Sequence, residues 1–145
     1  MLRHPQLELD HQLCFPIYAA ARAVTRAYAP LLGPHGLTYP QYLALLALWS
    51  NAEPLTVGEI GRLLRLDSAT LTPLLKRLEG RGLVVRRRDP ADERRVLVGL
   101  TDDGERLQDA VAHVPHDLAR SSGLTMEDAA LLRSLLDRLL DAVDG

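Results

Sequence analysis

Leu71, Leu74, Leu75 and Leu78 fall at i, i+3, i+4 and i+7, so on a helix of 3.6 residues per turn they form one apolar stripe that has to pack against protein. Positions off that stripe carry a different chemistry. Ser68, Thr70, Thr72, Lys76 and Arg77 supply short hydroxyls followed a turn later by a Lys-Arg pair. That order suits a helix lying against a duplex, where hydroxyls reach base edges or phosphates and cations neutralise phosphate. Solvated amphipathic helices show the same pattern, and Ser and Thr also collect at helix starts as caps. The neighbouring stretches decide between these readings.

Helical periodicity organises most of the chain. Residues 1–12 are polar and predicted extended or frayed. Leu13 to Leu32 reads as an Ala-rich helix that starts near Cys14, because Pro16 is tolerated only in a first turn. After the Gly33-Pro34-His35-Gly36 loop, Thr38-x-x-Gln41 is a capping box opening an apolar helix through Trp49. Thr56-x-x-Glu59 is a second box, launching a short helix over Ile60 to Leu66. The leucine-striped helix follows almost at once and stops at Gly80-Arg81-Gly82; Pro73 inside it predicts a bend or a late start. A short helix, a tight turn and a second helix with a polar outer face make a helix-turn-helix.

Beyond it, Leu83 to Arg88 and Val96 to Leu100 are β-rich runs flanking the charged, proline-containing Asp89-Pro90-Ala91-Asp92-Glu93-Arg94-Arg95 loop. This predicts a hairpin with Arg94 and Arg95 at its tip, a basic wing beside the helix-turn-helix. Thr101 caps a helix predicted from Asp102 to about Ala119, and Thr125 caps a last one over Ala129 to Val143. Leu131, Leu132, Leu135, Leu136, Leu139 and Leu140 give that last helix an apolar face too wide for a lone terminal helix. It is expected to pack, with helix one, against a second copy of the chain. The predicted fold is mainly α with a small β-hairpin wing: residues 1–35 and 102–145 supply dimerisation helices around a winged helix-turn-helix at 38–101.

Charge sharpens the picture. The 145-residue chain is formally −2, yet Arg62 to Arg95 carries ten Lys/Arg against five Asp/Glu, a net +5, leaving −7 elsewhere. The anion-facing segment is therefore the helix-turn-helix and wing. Aromatic residues are only 4% and not interleaved with the basic ones, which argues against a single-strand stacking platform. No apolar run approaches the roughly 18 to 20 residues of a membrane helix and no signal-peptide core is present, so a cytoplasmic protein without membrane contact is expected. Cys14 is the single cysteine, excluding an intrachain disulfide and leaving inert packing, a reactive thiol or an intermolecular link.

With Asp92-Glu93-Arg94 at the wing tip and Val98-Gly99-Leu100-Thr101-Asp102-Asp103-Gly104 closing it, the chain resembles the MarR family of dimeric winged-helix transcription regulators. Leu13-Cys14-Phe15, Tyr18, Tyr28, Thr38-Tyr39-Pro40-Gln41-Tyr42-Leu43, Leu66-Asp67-Ser68 and Thr70-Leu71-Thr72-Pro73 look like its organic hydroperoxide resistance branch, OhrR. The likeness runs from Leu13 to about Gly104. It implies a repressor that binds double-stranded operator DNA as a homodimer and leaves it when Cys14 is oxidised by an organic hydroperoxide. With no second cysteine near the C-terminus, the chain resembles the one-cysteine members, in which the oxidised sulfur captures a small cellular thiol or is oxidised further.

The residues can be weighed individually. An arbitrary lone cysteine is most often a small buried hydrophobe, but near a helix N-terminus the dipole and unpaired amides favour an anionic sulfur. Tyr18 and Tyr28 share the face of Cys14, and Tyr39 starts the next helix; all three are candidate hydrogen-bond donors to the thiolate. Their bland reading is interface packing with a polar tip. Tyr28 lies about 21 Å along the helix from Cys14, so it cannot reach the sulfur of its own chain. The resemblance implies that it reaches the partner's, across antiparallel first helices. For DNA, the candidates are Ser68, Thr70, Thr72, Lys76 and Arg77 on the helix, with Arg86, Asp92, Arg94 and Arg95 on the wing. Arg94 is expected in the minor groove and Asp92 is expected to orient an arginine. Arg86, Arg87 and Arg88 are read half as solvated strand, half as phosphate clamp.

His113 and His116 are three apart but lack further ligands, so no metal and no cofactor are expected. Without a phosphate loop, paired carboxylates or a nucleophile motif, neither is an enzyme. A regulator responding to a small aromatic ligand, with Cys14 incidental, is the alternative; a thiol peroxidase ranks last for want of a resolving cysteine.

Overall fold

The structure, a computed structural model, describes residues 1–145 as seven α-helices and a three-stranded antiparallel sheet, in two compact units, Met1–Ala112 and His113–Gly145. In the first unit, residues 1–12 are not extended: Pro5–Leu7 and Leu9–His11 each wind into a 3₁₀ turn, and the Gln12 side chain donates to the Gln6 and Glu8 carbonyls at 2.8 and 2.9 Å. Helix α1, Cys14–Leu32, starts where Pro16 required, with the proline as its third residue.

Both capping boxes close as the sequence predicted. Thr38 opens α2, Tyr39–Trp49, and Thr56 opens α3, Val57–Leu64; in each the N-cap hydroxyl and the Gln41 or Glu59 side chain bond reciprocally with backbone. Helix α3 is thus three residues earlier than expected at its start and shorter at its end, because Arg65 takes a left-handed conformation, φ 54°, that terminates it. Asp67 caps α4, Ser68–Gly80, through a 2.8 Å bond from the Thr70 amide. Pro73 lies inside this helix and does not delay its start; its ring is on the exposed side. Leu71, Leu74, Leu75 and Leu78 are all buried, with Leu32, Leu45, Ile60, Val84 and Val98, in the core beneath the helix-turn-helix.

The wing is β2, Val84–Asp89, against β3, Asp92–Leu100, antiparallel with Arg86 opposite Val98 and a register shift at Arg88/Asp89. A strand absent from the sequence reading, β1 at Leu55–Thr56, pairs with the other edge of β3. Two residues carry no readable alternation, so β1 is defined by its partner alone.

The expected helix from Asp102 to Ala119 is two: α5, Asp102–Val111, and α6, Val114–Ser122. Pro115 is the cause. A continuous helix would need its missing amide to bond the Val111 carbonyl and would press its ring on that same carbonyl. Helix α6 and α7, Met126–Val143, form the second unit; Thr125 caps α7 through the Asp128 amide, starting it three residues before the predicted Ala129.

The base of the wing is tightly built. Thr101 caps α5, its amide donates to the Leu83 carbonyl at 3.1 Å, and Trp49 Nε1 donates to the Gly104 carbonyl at 3.0 Å. A Cβ at Gly104 would stand 2.1 Å from the Leu83 carbonyl oxygen and 3.1 Å from Leu100 Cδ2. Gly104→Ala should therefore destabilise the chain by about 3 kcal/mol, the upper range of overpacking. A urea unfolding curve measures the loss; a midpoint within error of the wild type would contradict this packing.

Candidate nucleic-acid interface and the Cys14 helix

The buried leucine stripe sets the rotation of α4 and so decides what its other sides meet. Ser68 and Thr72 face a cleft of about 610 Å³ whose lining also includes Thr56, Arg62, Arg86, Arg94 and Arg95. Helices α3 and α4 and the wing therefore converge there on hydroxyls and four guanidinium groups. Thr70, Lys76 and Arg77 are exposed on α4 outside that lining. Arg62 was not singled out in the sequence. Its only signal was membership of the basic segment, since nothing local shows that the end of α3 faces the wing.

The wing cations differ in freedom. The Arg94 side chain is 90% exposed, with its guanidinium on the Asp92 carboxylate: Nε to Oδ1 at 3.1 Å and Nη2 to Oδ2 at 3.2 Å. These bonds, with one from the Arg94 amide, hold the Asp92 carboxyl below the usual range. Asp92, expected from the sequence to orient an arginine, is paired with Arg94. Arg95 stands 4.0 Å from Asp89. Arg86 is half-buried and committed: Glu79, near the end of α4, takes its backbone amide at 2.8 Å on Oε2 and its Nε and Nη2 at 3.2 and 3.1 Å on Oε1. The Glu79 carboxyl is likewise lowered by these bonds. Arg86, read from the sequence as half solvated strand and half phosphate clamp, is thus engaged by Glu79 within the chain.

Cys14 is the first residue of α1 and exposed, and Leu13 before it makes no side-chain cap, so the first-turn amides are uncapped. Tyr18, one turn on, is exposed with the Arg22 guanidinium 5.5 Å from its ring centroid. Tyr28 lies at the far end of α1, half-buried, stacked on Tyr39 with centroids 4.2 Å apart and 5.9 Å from Tyr42. Within one chain, then, Tyr28 and Tyr39 are brought together and Cys14 and Tyr18 are a separate group. Tyr42, 2% exposed, completes this aromatic group; its signal in the sequence is its one-turn spacing from Tyr39. No three metal-ligating side chains converge, and no helix is long and apolar enough to cross a membrane.

A helix-turn-helix beside a β-hairpin that carries Arg94 and Arg95 on β3, past a Pro90–Ala91 turn and not in the tip loop the sequence predicted, defines a winged-helix nucleic-acid-binding fold. The MarR family profile matches residues 35–95. The HTH-type transcriptional regulator TtmR of Methylorubrum extorquens (strain PA1) is 53% identical over 136 residues, covering 94% of this chain and 68% of that protein. The organic hydroperoxide resistance transcriptional regulator of Bacillus subtilis (strain 168) is 47% identical over 137 residues, covering 94% and 92%. Among solved structures, reduced AbfR bound to DNA superposes with a TM-score of 0.78 at 39% identity, covering 95% of this chain and 96% of that one. The chain belongs to the MarR family of transcriptional regulators.

Burial, then the neighbouring Tyr39 and Tyr42, push the Tyr28 phenol from 10.0 up to about 12. Below pH 10 it is protonated in folded and unfolded chains alike; above that the unfolded chain loses the proton first, so this group's contribution to stability falls as pH rises from about 10 to about 12. In an alkaline titration followed by tyrosinate absorbance, Tyr28→Phe should remove the highest-pH step. Loss of a step near the free-phenol value instead would contradict the burial.

Proposed function

We propose that the chain is a homodimeric, cytoplasmic repressor that binds double-stranded operator DNA through paired winged helices and is released when an organic hydroperoxide oxidises Cys14. It acts stoichiometrically, not as an enzyme. The observation that carries this reading is the exposed Cys14 at the uncapped start of α1, in a chain 47% identical across nearly its whole length to an organic hydroperoxide resistance regulator. DNA binding is supported by the arginine-lined cleft and by the likeness to AbfR bound to DNA.

The dimer would be built by the segments 1–35 and 102–145. Leu13 before α1, Phe15, Tyr18 and Val24 on α1, and Leu131, Leu132, Leu135 and Leu140 on α7 are exposed, apolar side chains that a second copy would cover. Because Tyr28 is about 21 Å from Cys14 along α1, its hydroxyl and that of Tyr39 would meet the thiolate of the partner subunit, with Tyr18 beside it.

The chemistry is a two-electron step. The Cys14 thiolate attacks one peroxide oxygen, the O–O bond breaks, the alkoxide leaves and takes a proton as the alcohol, and the sulfur becomes a sulfenic acid. A small cellular thiol then condenses with it, releasing water and forming a mixed disulfide. The phenols lose the anionic acceptor they had bonded. Charged hydrogen bonds are worth roughly 1.5 to 3 kcal/mol each, and two symmetric sites reach the order of 5 kcal/mol needed to reverse a two-state equilibrium.

With a duplex selected from a random pool, organic hydroperoxide plus a small thiol should abolish wild-type binding, while Cys14→Ser stays bound and its intact mass does not change. Release of Cys14→Ser would remove Cys14 from the switch. Separately, Arg94→Ala should weaken binding to every sequence and lower the salt slope by about 1, whereas Thr70→Ala or Thr72→Ala should change base preference. Equal salt slopes for Arg94→Ala and wild type would contradict a groove contact by the wing.

A further inference from the structure

We propose that Glu79 is the positioning residue of the wing: by binding Arg86 it locks the root of the hairpin to α4, so that the wing arginines and the hydroxyls of α4 address one duplex together. The inference rests on the cleft being a DNA interface, as proposed above.

Three hydrogen bonds run from Arg86 to one carboxylate, from its amide at 2.8 Å and from Nε and Nη2 at 3.2 and 3.1 Å. The backbone of β2 is therefore held as well as the side chain. The two side chains are 23% and 37% exposed, partly withdrawn from water and so less screened than the rim pairs around them. Arg86 is opposite Val98 in the β2–β3 register, and Val98 is fully buried, so the tie sits where the hairpin leaves the core. One residue further out β3 still pairs with β1, Leu97 with Thr56; beyond Leu97 no other strand pairs with the ribbon.

The geometry makes the tie matter. From Arg86 to Pro90 is four residues, about 13 Å of strand. A tilt of about 10° at the root would carry the tip about 2 Å, well beyond the few tenths of an ångström that separate a good hydrogen bond from none. Arg94 and Arg95 would then meet the duplex out of step with Ser68 and Thr72.

Charge and position predict opposite signs, which makes the inference decidable. Glu79 is an anion beside a surface that binds an anion, so removing its charge should tighten binding if electrostatics alone operated. If it positions the wing, removal should loosen binding. Glu79→Gln is nearly isosteric and keeps an acceptor for the Arg86 amide but no longer attracts the guanidinium. Glu93→Gln makes the same charge change on the wing without touching the tie.

The experiment is affinity for a mixed-sequence DNA duplex at low salt, for wild type, Glu79→Gln, Glu93→Gln, Arg94→Ala and the Glu79→Gln/Arg94→Ala double variant, with unfolding curves for each. Glu79→Gln should bind roughly tenfold more weakly, the size of one lost arginine contact, while Glu93→Gln binds as tightly as wild type or more so. In the double variant the Arg94 change should add little, since a displaced wing has already lost that contact; the two residues do not touch, so such coupling is positional. Tighter or unchanged binding by Glu79→Gln, or losses that simply add, would overturn the tie while leaving the interface intact. A wild-type chain that showed no salt-dependent duplex binding would overturn the interface reading and the tie with it.

Discussion

Burial of the Leu71, Leu74, Leu75 and Leu78 side chains is the constraint from which the rest of the interface follows. A helix is free to rotate about its axis until one face is committed, and four leucines at i, i+3, i+4 and i+7 leave a single rotation that removes them all from water. At about 25 cal/mol per Å² of apolar surface, four such side chains outweigh any plausible preference among the polar faces. Ser68 and Thr72 consequently look toward the wing and Thr70 and Arg77 look outward. That division comes from the core and not from any property of the hydroxyls.

Once α4 is fixed, the arginines sort by what already holds them. A guanidinium on a carboxylate contributes little net charge to a distant phosphate, so a duplex meets fewer free cations than the ten Lys/Arg of the Arg62–Arg95 segment, in line with its net +5. Arg86 is spent on Glu79. Arg94 is held by Asp92 yet lies almost wholly in solvent, which is a different use of a carboxylate: it limits the rotamers of a long side chain and so would lower the entropy lost if that arginine enters a groove as proposed. The same pairing of residue types thus serves a structural tie in one place and a presented cation in the other. Burial and reach tell them apart; sequence spacing does not.

The readable features were those whose cause is local. Thr38-x-x-Gln41 and Thr56-x-x-Glu59 contain both halves of each capping box within four residues, and the helix starts follow from them. The leucine stripe, the Gly80 stop, the hairpin and the start of α1 at Cys14 are of the same kind. The misses depend on partners distant in sequence or on a single residue inside a longer pattern: β1 exists through β3, Arg62 lines a cleft that only the tertiary fold creates, and the Glu79 carboxylate finds Arg86 across the turn between α4 and β2. Pro115 was visible in the sequence, but the surrounding periodicity masked it, and the break it makes separates α5 from α6.

The same distinction bears on the sensor. Cys14 and Tyr28 belong to one helix and one face, which on paper makes them a pair, yet a continuous 19-residue α1 holds them at opposite ends. In one chain the phenol of Tyr28 faces Tyr39 and Tyr42, and each of these can serve a thiolate only if another chain brings one. If the phenols do hold Cys14 ionised, the bond that stores the reduced state is also a bond between subunits. Chemistry at the sulfur then cannot change without changing the energy of the dimer, and no separate relay from sensor to interface is needed. Within the chain α1 packs on α2 and α2 on α4, so in the proposed switch a shift of α1 would have a short path to the buried leucines of α4.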